Sequence, residues 1–409
     1  MSQGFWREGR ILAFLGLLAV GNLFIGGAIL WLLYGPGGQA TVVDFWTFWS
    51  AGRFAIEGDG ATAYDKEAMQ LMLSQLLGQP YERRMDWISP PVFQLVMAPF
   101  AMLPLWLAQA LWVLGGAGFY LAVAFWILPR PVALAVALAP LTTMLLLVNG
   151  QTGFITAALV GLSLLAVALQ ERGRPLGAAM GIPLGLLCIK PQLALALPLF
   201  LLIRGEWRAI FWAAGTVLAC LGLATLVLGI AVWPAFLDGI AASVGDMANR
   251  DGLPLQATLR AALVSAGVSF GAAGIAQLLL SLTVLGLLTR ALLPRGEARP
   301  TPAMAGALVA YATVAANPRV MDYDLLILAI GALLHARHLV GADGCRPALA
   351  PWEGPAFLVA VLLPLLDFPP SLALEVNFAI GPLLFASALG AERWRRAQSR
   401  AQSRARSRA

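Results

Sequence analysis

The stretch from Ile11 to Tyr34, ILAFLGLLAVGNLFIGGAILWLLY, contains no charged residue and is long enough to cross a membrane. A transmembrane helix needs about 20 predominantly apolar residues. Arg7 and Arg10 precede this run. The apolar region of a signal peptide is shorter, about 7–15 residues, and ends at a small-residue cleavage site. We therefore predict that Ile11–Tyr34 is a retained first span.

The whole chain has the same apolar character as this first stretch. Of its 409 residues, 60% are hydrophobic and 12% are charged, and the mean hydropathy is +0.80. Soluble domains carry roughly 25% charged residues. The apolar runs are continuous and do not alternate with polar residues, which favours helices over the strands of a membrane barrel. We predict an all-α polytopic membrane protein.

Apolar runs divide the chain into about twelve predicted transmembrane helices. The segment Ser89–Pro104 is apolar but short and bracketed by prolines, so we predict a re-entrant or interfacial helix there. The predicted spans are residues 11–34, 105–128, 132–148, 151–169, 175–189, 192–203, 208–228, 270–289, 301–316, 324–340, 355–366 and 371–390.

Charge predicts the orientation of these spans, because Lys and Arg concentrate in short cytoplasmic loops. With both termini inside, most of the 27 Lys and Arg residues are cytoplasmic and most of the 21 acidic residues are outside. We predict a transmembrane domain at 1–392, in which 35–104 is a first outer loop of short amphipathic helices. A basic, disordered cytoplasmic tail follows at 393–409. Short loops favour the inner membrane of a bacterium.

The cysteine and histidine residues show no pattern that is typical of a metal site. The three cysteines show neither a disulfide framework nor the spacing of metal ligands. His335 and His338 end an apolar run beside Arg337, and with no third ligand nearby we interpret them as part of a solvated loop. We predict no metal and no cofactor.

Four polar clusters are predicted on the outer face. A polar group at membrane depth is costly and usually functional. We therefore expect the four clusters to share one outward cavity. They are the region Thr41–Pro104, which contains Asp44 and YERRMDWISPP, VNGQTGF around Asn149–Gln151, CIKPQLAL around Lys190–Gln192 and AANPRVMDYDLL around Asn317–Asp324.

Each cluster also has a purely structural interpretation. Asn149–Gln151 can be a tight turn, which Asn-Gly favours. Lys190, one of only two lysines, can be a snorkelling residue at the interface. Arg319 can belong to a simple ion-paired loop. Asp44 can serve only as a helix N-cap.

The paired aromatics after Asp44 have two interpretations as well. Trp46 and Trp49 can form part of the aromatic belt that marks a membrane interface. Together with Trp87 they can instead stack on a sugar or hold a lipid chain. Composition alone does not choose between these roles.

Taken in order, these motifs resemble the polyprenol-phosphate-mannose-dependent α-1,2-mannosyltransferases, glycosyltransferase family 87 of the GT-C superfamily. The resemblance extends over about residues 10–340. It includes the Pro90-Pro91 segment, the Asn-Gly-Gln turn and the Lys-Pro-Gln break. Members often have a His in the late segment, where this chain has Met321–Asp324. In the first outer loop the matching residues are Asp44, Phe45, Trp49, Ala51, Gly52, Gly58, Tyr64 and Asp65.

This resemblance implies an inverting glycosyltransferase with a GT-C-type fold. It implies a hexosyltransferase that moves a sugar, mannose in this family, from a polyprenyl-phosphate donor to a glycolipid or glycan acceptor at the periplasmic face. Asp44 would be the general base, and Lys190 and Arg319 would bind the donor phosphate. The expected partners are these substrates and membrane lipids, with no nucleic acid. The expected substrate-binding residues are Asn149, Gln151, Gln192, Trp46, Trp49, Tyr64, Asp322 and Asp324.

A lipid or glycan transporter, or a flippase, is the alternative from another class. Transporters often contain paired halves with broken helices at matching positions near the midplane. No convincing repeat of this kind is visible in the sequence. The polar residues cluster on one predicted face, which favours chemistry at the interface over a path through the membrane.

Overall fold

All regular structure in the described part of the chain is helical, apart from one isolated bridge between Gln256 and Met321. The computed structural model describes residues 2–34, 42–82, 85–169, 176–248, 256–293, 300–340, 350–363 and 376–406. The α-helices are α1 Ser2–Tyr34, α2 Asp44–Ile56, α3 Lys66–Leu77, α4 Pro91–Ala101, α5 Leu105–Ile127, α6 Val132–Leu138, α7 Thr142–Asn149, α8 Gly153–Ala168, α9 Gly177–Leu186, α10 Ala196–Arg204, α11 Trp207–Leu228, α12 Val232–Ala248, α13 Leu259–Ser265, α14 Phe270–Leu292, α15 Pro302–Ala315, α16 Leu326–Leu339, α17 Glu353–Leu362 and α18 Ile380–Arg406. The predicted all-α class is confirmed.

Four of the described helices are long and apolar enough to cross a membrane. They contain Ala13–Leu32, Leu105–Ile127, Trp207–Leu228 and Phe270–Leu292. The predicted span 132–148 is instead two helices, α6 and α7, bent by 68°. Pro140 lies at the break and supplies no amide hydrogen to continue a helix. The other predicted spans correspond to shorter helices or to partly undescribed segments, so a total of twelve stays a prediction.

The short helix α4 occupies the segment between prolines. Its 11 residues extend about 16 Å at 1.5 Å per residue, against a hydrocarbon core of about 30 Å. It packs tightly on α2, since a Cβ at Gly52 would lie 2.7 Å from the Met97 carbonyl oxygen. The amide of Gln94 donates to the carbonyls of Ala51 and Gly60 at 3.1 and 2.9 Å. This geometry agrees with a helix that does not cross the membrane.

The aromatics of α2 point into the core and do not form an interfacial belt. Trp46 is 4% exposed and Phe48 is 6% exposed. The Phe48 ring meets Phe93 edge-on, with centroids 5.0 Å apart, and Phe93 stacks on Trp87 at 5.5 Å. The belt interpretation of Trp46 is therefore wrong, because this side chain is buried inside the protein. Trp49 is half-buried and donates to the Leu103 carbonyl at 3.0 Å.

The sequence did not predict the two helices that follow α11. α12 and α13 lie in a stretch that the prediction left as an outer loop. α12 contacts the first outer loop, where the rings of Phe236 and Tyr64 are 5.8 Å apart. The Trp233 indole donates to the Thr225 hydroxyl at 2.8 Å and fastens α12 to the end of α11.

The two histidines are buried on α16, so the prediction of a solvated loop is wrong. His335 is 1% exposed, and its Nε2 lies 2.8 Å from Oε1 of Glu353 on α17. Glu353 also accepts from the Ala350 amide and from Arg395 on α18. Nδ1 of His338 lies 2.8 Å from the Thr301 hydroxyl. These contacts join three helices at the end predicted to be cytoplasmic.

The described part of the basic tail is helical, whereas disorder was predicted for residues 393–409. α18 continues to Arg406. No Gly or Pro interrupts the sequence from Ala391 onward, and Ala, Arg and Gln are favourable helix residues. Arg396 and Glu392 add an i, i+4 ion pair at 3.0 Å.

Replacement of Glu353 is expected to destabilise the protein. Glu353→Gln keeps the shape but removes the negative charge that faces Arg395 and His335, both largely buried. Hydrogen bonds to charged groups contribute about 1.5–3 kcal/mol. We expect a loss of that size, measured as a lower unfolding midpoint in detergent.

The matched control is Glu57→Gln, which removes the exposed i, i+4 ion pair with Arg53. Exposed helix pairs contribute about 0.3–0.5 kcal/mol. Equal shifts of the midpoint in the two variants would contradict a special role for the buried cluster.

Candidate active site

The Asn-Gly-Gln turn ends α7 and packs against the start of α2. Gly150 adopts a left-handed conformation with φ +65°, which a glycine accepts without strain. A Cβ at this position would lie 2.8 Å from Cβ of Phe45. The Trp112 indole donates to the Gly150 carbonyl at 2.9 Å. The segment is thus a turn, and its contact with Phe45 places it next to Asp44.

The same segment contacts the late polar cluster on its other side. A Cβ at Gly153 would clash with the carbonyl oxygen of Tyr323, so only glycine permits this approach. The Thr142 hydroxyl donates to the Asp322 carbonyl at 3.2 Å. The start of α2, the turn after α7 and the segment before α16 are consequently neighbours.

Lys190 forms a short ion pair with Asp324. Its ammonium lies 2.6 Å from Oδ1 of Asp324, and the two side chains are 14% and 0% exposed. The ammonium also lies over the ring of Tyr323, 4.4 Å from the centroid. The second oxygen of Asp324 accepts from the Met321 amide at 3.1 Å. Asp324 therefore holds Lys190 and the loop before α16 together.

Lys190 lies at a break between two helical segments. Lys190 has φ −150° and ψ 69°, between two short 3-10 turns. A residue before proline is disfavoured in the α region, so Pro191 keeps Lys190 out of a helix. This explains locally why the Lys-Pro-Gln motif interrupts an apolar run.

Asn317 links the two polar clusters. This side chain is 1% exposed and donates to the Gln192 carbonyl at 2.6 Å. Its oxygen accepts from the Arg319 amide at 2.9 Å. The sequence placed Asn317 within a polar cluster, but its role as a connector depends on tertiary contacts.

Charges from three clusters act on one another at this site. Burial lowers the pKa of Lys190, and the negative charges of Asp324 and Asp44 oppose that effect. The positive charge of Arg319 lowers the same pKa. Burial also lowers the pKa of Arg319, against the influence of Tyr323 and Asp324. Asp44, Lys190 and Arg319 therefore belong to one electrostatic neighbourhood.

Asp44 is the first residue of α2, one position after the N-cap. The N-cap position is Val43, whose side chain makes no capping hydrogen bond. The interpretation of Asp44 as only an N-cap is therefore wrong. A carboxylate in the first turn is still stabilised by the helix dipole.

The other predicted site residues take several positions. Asn149, Gln151 and Gln192 are half-buried in the segments that meet near Lys190. Asp322 accepts from the Asn377 amide at 3.1 Å. Tyr64 donates to the Ser89 carbonyl at 2.8 Å and so braces the first outer loop. The described contacts of Tyr64 and Trp49 are with other parts of the fold and not with Lys190.

The fold and this site define a multi-pass membrane protein with a buried, charged site assembled from distant segments. The family model of glycosyltransferase family 87 matches residues 87–318. The match covers more than half of the chain, so the protein belongs to glycosyltransferase family 87, which is part of the GT-C superfamily. No curated protein matches the chain, and neither does a solved structure.

Membership of this family establishes a membrane glycosyltransferase that uses a sugar donor and an acceptor. The matched range contains Asn149, Gln151, Lys190 and Gln192, while Asp44 precedes it and Arg319 follows directly after it. The contacts through Phe45 and Asn317 bring those two outlying residues to the matched segment.

Proposed function

We propose that the protein transfers a hexose, mannose, from a polyprenyl-phosphate donor to an acceptor hydroxyl with inversion. The observation that carries this proposal is the convergence of a carboxylate and two cations from distant segments. Asp44 acts electrostatically on Lys190, and so does Arg319. A base and an anion-binding pair in one neighbourhood suit transfer from a phosphorylated donor.

Asp44 is the base in this mechanism. Its carboxylate takes the proton of the acceptor hydroxyl while that oxygen attacks the anomeric carbon from the face opposite the phosphate. The bond between that carbon and the phosphate oxygen breaks, and the lipid phosphate leaves with the electron pair. General base catalysis of this kind contributes typically about 10²–10⁴-fold.

Lys190 and Arg319 stabilise the leaving phosphate, because its negative charge grows as the bond to the sugar breaks. Asp324 supports this role by fixing the ammonium of Lys190. Asp324 thus acts as a positioning residue in the proposal, and its two oxygens are already engaged by protein groups.

The neutral polar residues bind the sugar in this proposal. Asn149, Gln151 and Gln192 hydrogen-bond hydroxyls of the donor or acceptor. Trp46 has a buried indole nitrogen without a hydrogen-bond partner in the described ranges, which suits a further donor to a sugar oxygen. Asp322, which precedes Tyr323, is a further candidate for this role.

The proposed location is the inner membrane of a bacterium, with both termini in the cytoplasm and the active site on the periplasmic side. The distribution of basic loops supports this orientation. A polyprenyl-phosphate donor and a glycolipid or glycan acceptor are both accessible at that face. The product would contribute to the cell envelope.

A comparison of donors tests the proposal. Purified protein is incubated with a membrane lipid extract and either radiolabelled polyprenyl-phosphate-mannose, polyprenyl-phosphate-glucose or GDP-mannose. We expect transfer from a polyprenyl-phosphate sugar and none from the nucleotide sugar. Transfer from GDP-mannose alone would overturn the proposed class of donor. Transfer from the glucosyl lipid alone would overturn mannose as the proposed sugar.

A further inference from the structure

Arg260 lies beside the cluster already described and has no role in the proposed mechanism. It occupies the first turn of α13, which is fastened to the Arg319 segment by backbone contacts. Gln256 forms an isolated bridge with Met321, and the Ala257 amide donates to the Val320 carbonyl at 2.8 Å. These contacts bring α13 to the loop that carries Arg319.

The side chain of Arg260 is held in the direction of that loop. Its Nη2 donates to the Pro318 carbonyl at 3.2 Å, one residue before Arg319. The guanidinium also lies over the ring of Phe270, 5.2 Å from the centroid. The backbone amide of Arg260 donates to Gln277 on α14 at 3.3 Å. The loop before α16 and helix α14 therefore set the position of the guanidinium.

Two arginines are thus close together, and neither forms a salt bridge with another described residue. The charge of Arg319 is near enough to lower the pKa of Arg260, in addition to the larger effect of burial. Nε of Arg260 is buried and makes no hydrogen bond to any described residue.

Like charges that face each other at a partly buried site are unfavourable unless an anion lies between them. A guanidinium presents its donors in a rigid fork that matches phosphate oxygens. The buried Nε is one unused donor of such a fork. A phosphate group would satisfy both the charge and the hydrogen-bonding capacity of this pair.

We propose that Arg260 binds the phosphate group of the lipid together with Arg319, as a third cation beyond Lys190. This inference rests on the proposed function, since it assigns a further ligand to the same donor. The donor is a phosphodiester with one negative charge, whereas the released polyprenyl phosphate is a monoester that approaches two. Arg260 therefore contributes most after the bond to the sugar has broken.

Binding of decaprenyl phosphate, which has the phosphate monoester released by every donor of this class, provides the test. Wild type, Arg260→Gln and Arg290→Gln are compared in detergent by intrinsic tryptophan fluorescence. Arg290 is the matched control, because it is exposed near the far end of α14. Decaprenol is the control ligand without a charge, and inorganic phosphate is the control ligand without a lipid chain. The unfolding midpoint of each variant shows whether it is folded.

We expect Arg260→Gln to bind decaprenyl phosphate about tenfold more weakly, which corresponds to ~1.4 kcal/mol. Decaprenol binding, the unfolding midpoint and the Arg290→Gln variant should match the wild type. If Arg260→Gln is poorly folded, Arg260→Lys replaces it, and a weaker decaprenyl phosphate affinity is expected there too, because Lys lacks the planar fork.

The remaining outcomes separate this inference from the proposed function. Unchanged decaprenyl phosphate binding in Arg260→Gln, with a phosphate preference retained by the wild type, overturns the role of Arg260 alone. A wild type that binds decaprenol as tightly as decaprenyl phosphate overturns the donor class itself. Weakened binding of inorganic phosphate alone would make this pair a site for free anions and also overturn the inference.

Discussion

Asp44→Asn is expected to abolish sugar transfer while the protein remains folded. Asparagine has nearly the same shape but cannot accept the proton of the acceptor hydroxyl. General base catalysis contributes typically about 10²–10⁴-fold, so we expect a loss of transfer rate in that range. The rate is measured with radiolabelled polyprenyl-phosphate-mannose and a membrane lipid extract, at saturating donor.

The variant should remain folded, because asparagine has nearly the same volume as aspartate and keeps an amide oxygen that can accept hydrogen bonds. Asp59→Asn is the matched control, since Asp59 is an exposed residue of the same outer loop whose carboxylate accepts from the Thr62 hydroxyl. We expect this control to transfer sugar at close to the wild-type rate. Full activity in Asp44→Asn would remove Asp44 from the mechanism.

Separating Lys190 from Asp324 is expected to destabilise the fold, and removing both charges is expected to restore it. Asp324 is 0% exposed and Lys190 is 14% exposed, so either residue alone would be a buried charge without its partner. Breaking a buried pair in this way costs about 3–5 kcal/mol. Lys190→Met and Asp324→Asn should each show such a loss in detergent unfolding.

The double variant Lys190→Met/Asp324→Asn should recover most of that stability, because no unpaired charge remains. The asparagine oxygen can still accept from the Met321 amide. Sugar transfer should nevertheless stay low, because the ammonium that stabilises the leaving phosphate is absent. A double variant that regains both stability and activity would show that the pair is only structural.

Periodicity and composition predicted the class of fold from local information. A run such as Ile11–Tyr34 must be helical in a membrane, because lipid offers no partner for backbone amides and carbonyls. Proline positions likewise predicted the short α4 and the break at Lys190. The broken pair of α6 and α7 was missed, although Pro140 lies at the bend, because the apolar run continues across it.

The candidate site was predictable only as a set of segments. Asp44, the Asn-Gly-Gln turn, Lys190 and Arg319 stood out as polar residues in an apolar chain. Their pairing was not visible, because it depends on close approaches at Gly150 and Gly153 and on a bond from Asn317 to Gln192. Arg260 carried no signal, since nothing local distinguishes it from other loop arginines.

The sequence by itself determined that this chain is a helical membrane protein of the glycosyltransferase type, with polar motifs in a recognisable order. The physical reason is that the bilayer imposes local rules on apolar length, backbone hydrogen bonding and the distribution of charge. The tertiary structure alone decided that His335 is buried against Glu353, that Trp46 faces the core and that Asp324 holds Lys190. Those outcomes depend on which helices pack together, and that packing is set by contacts between residues far apart in the chain.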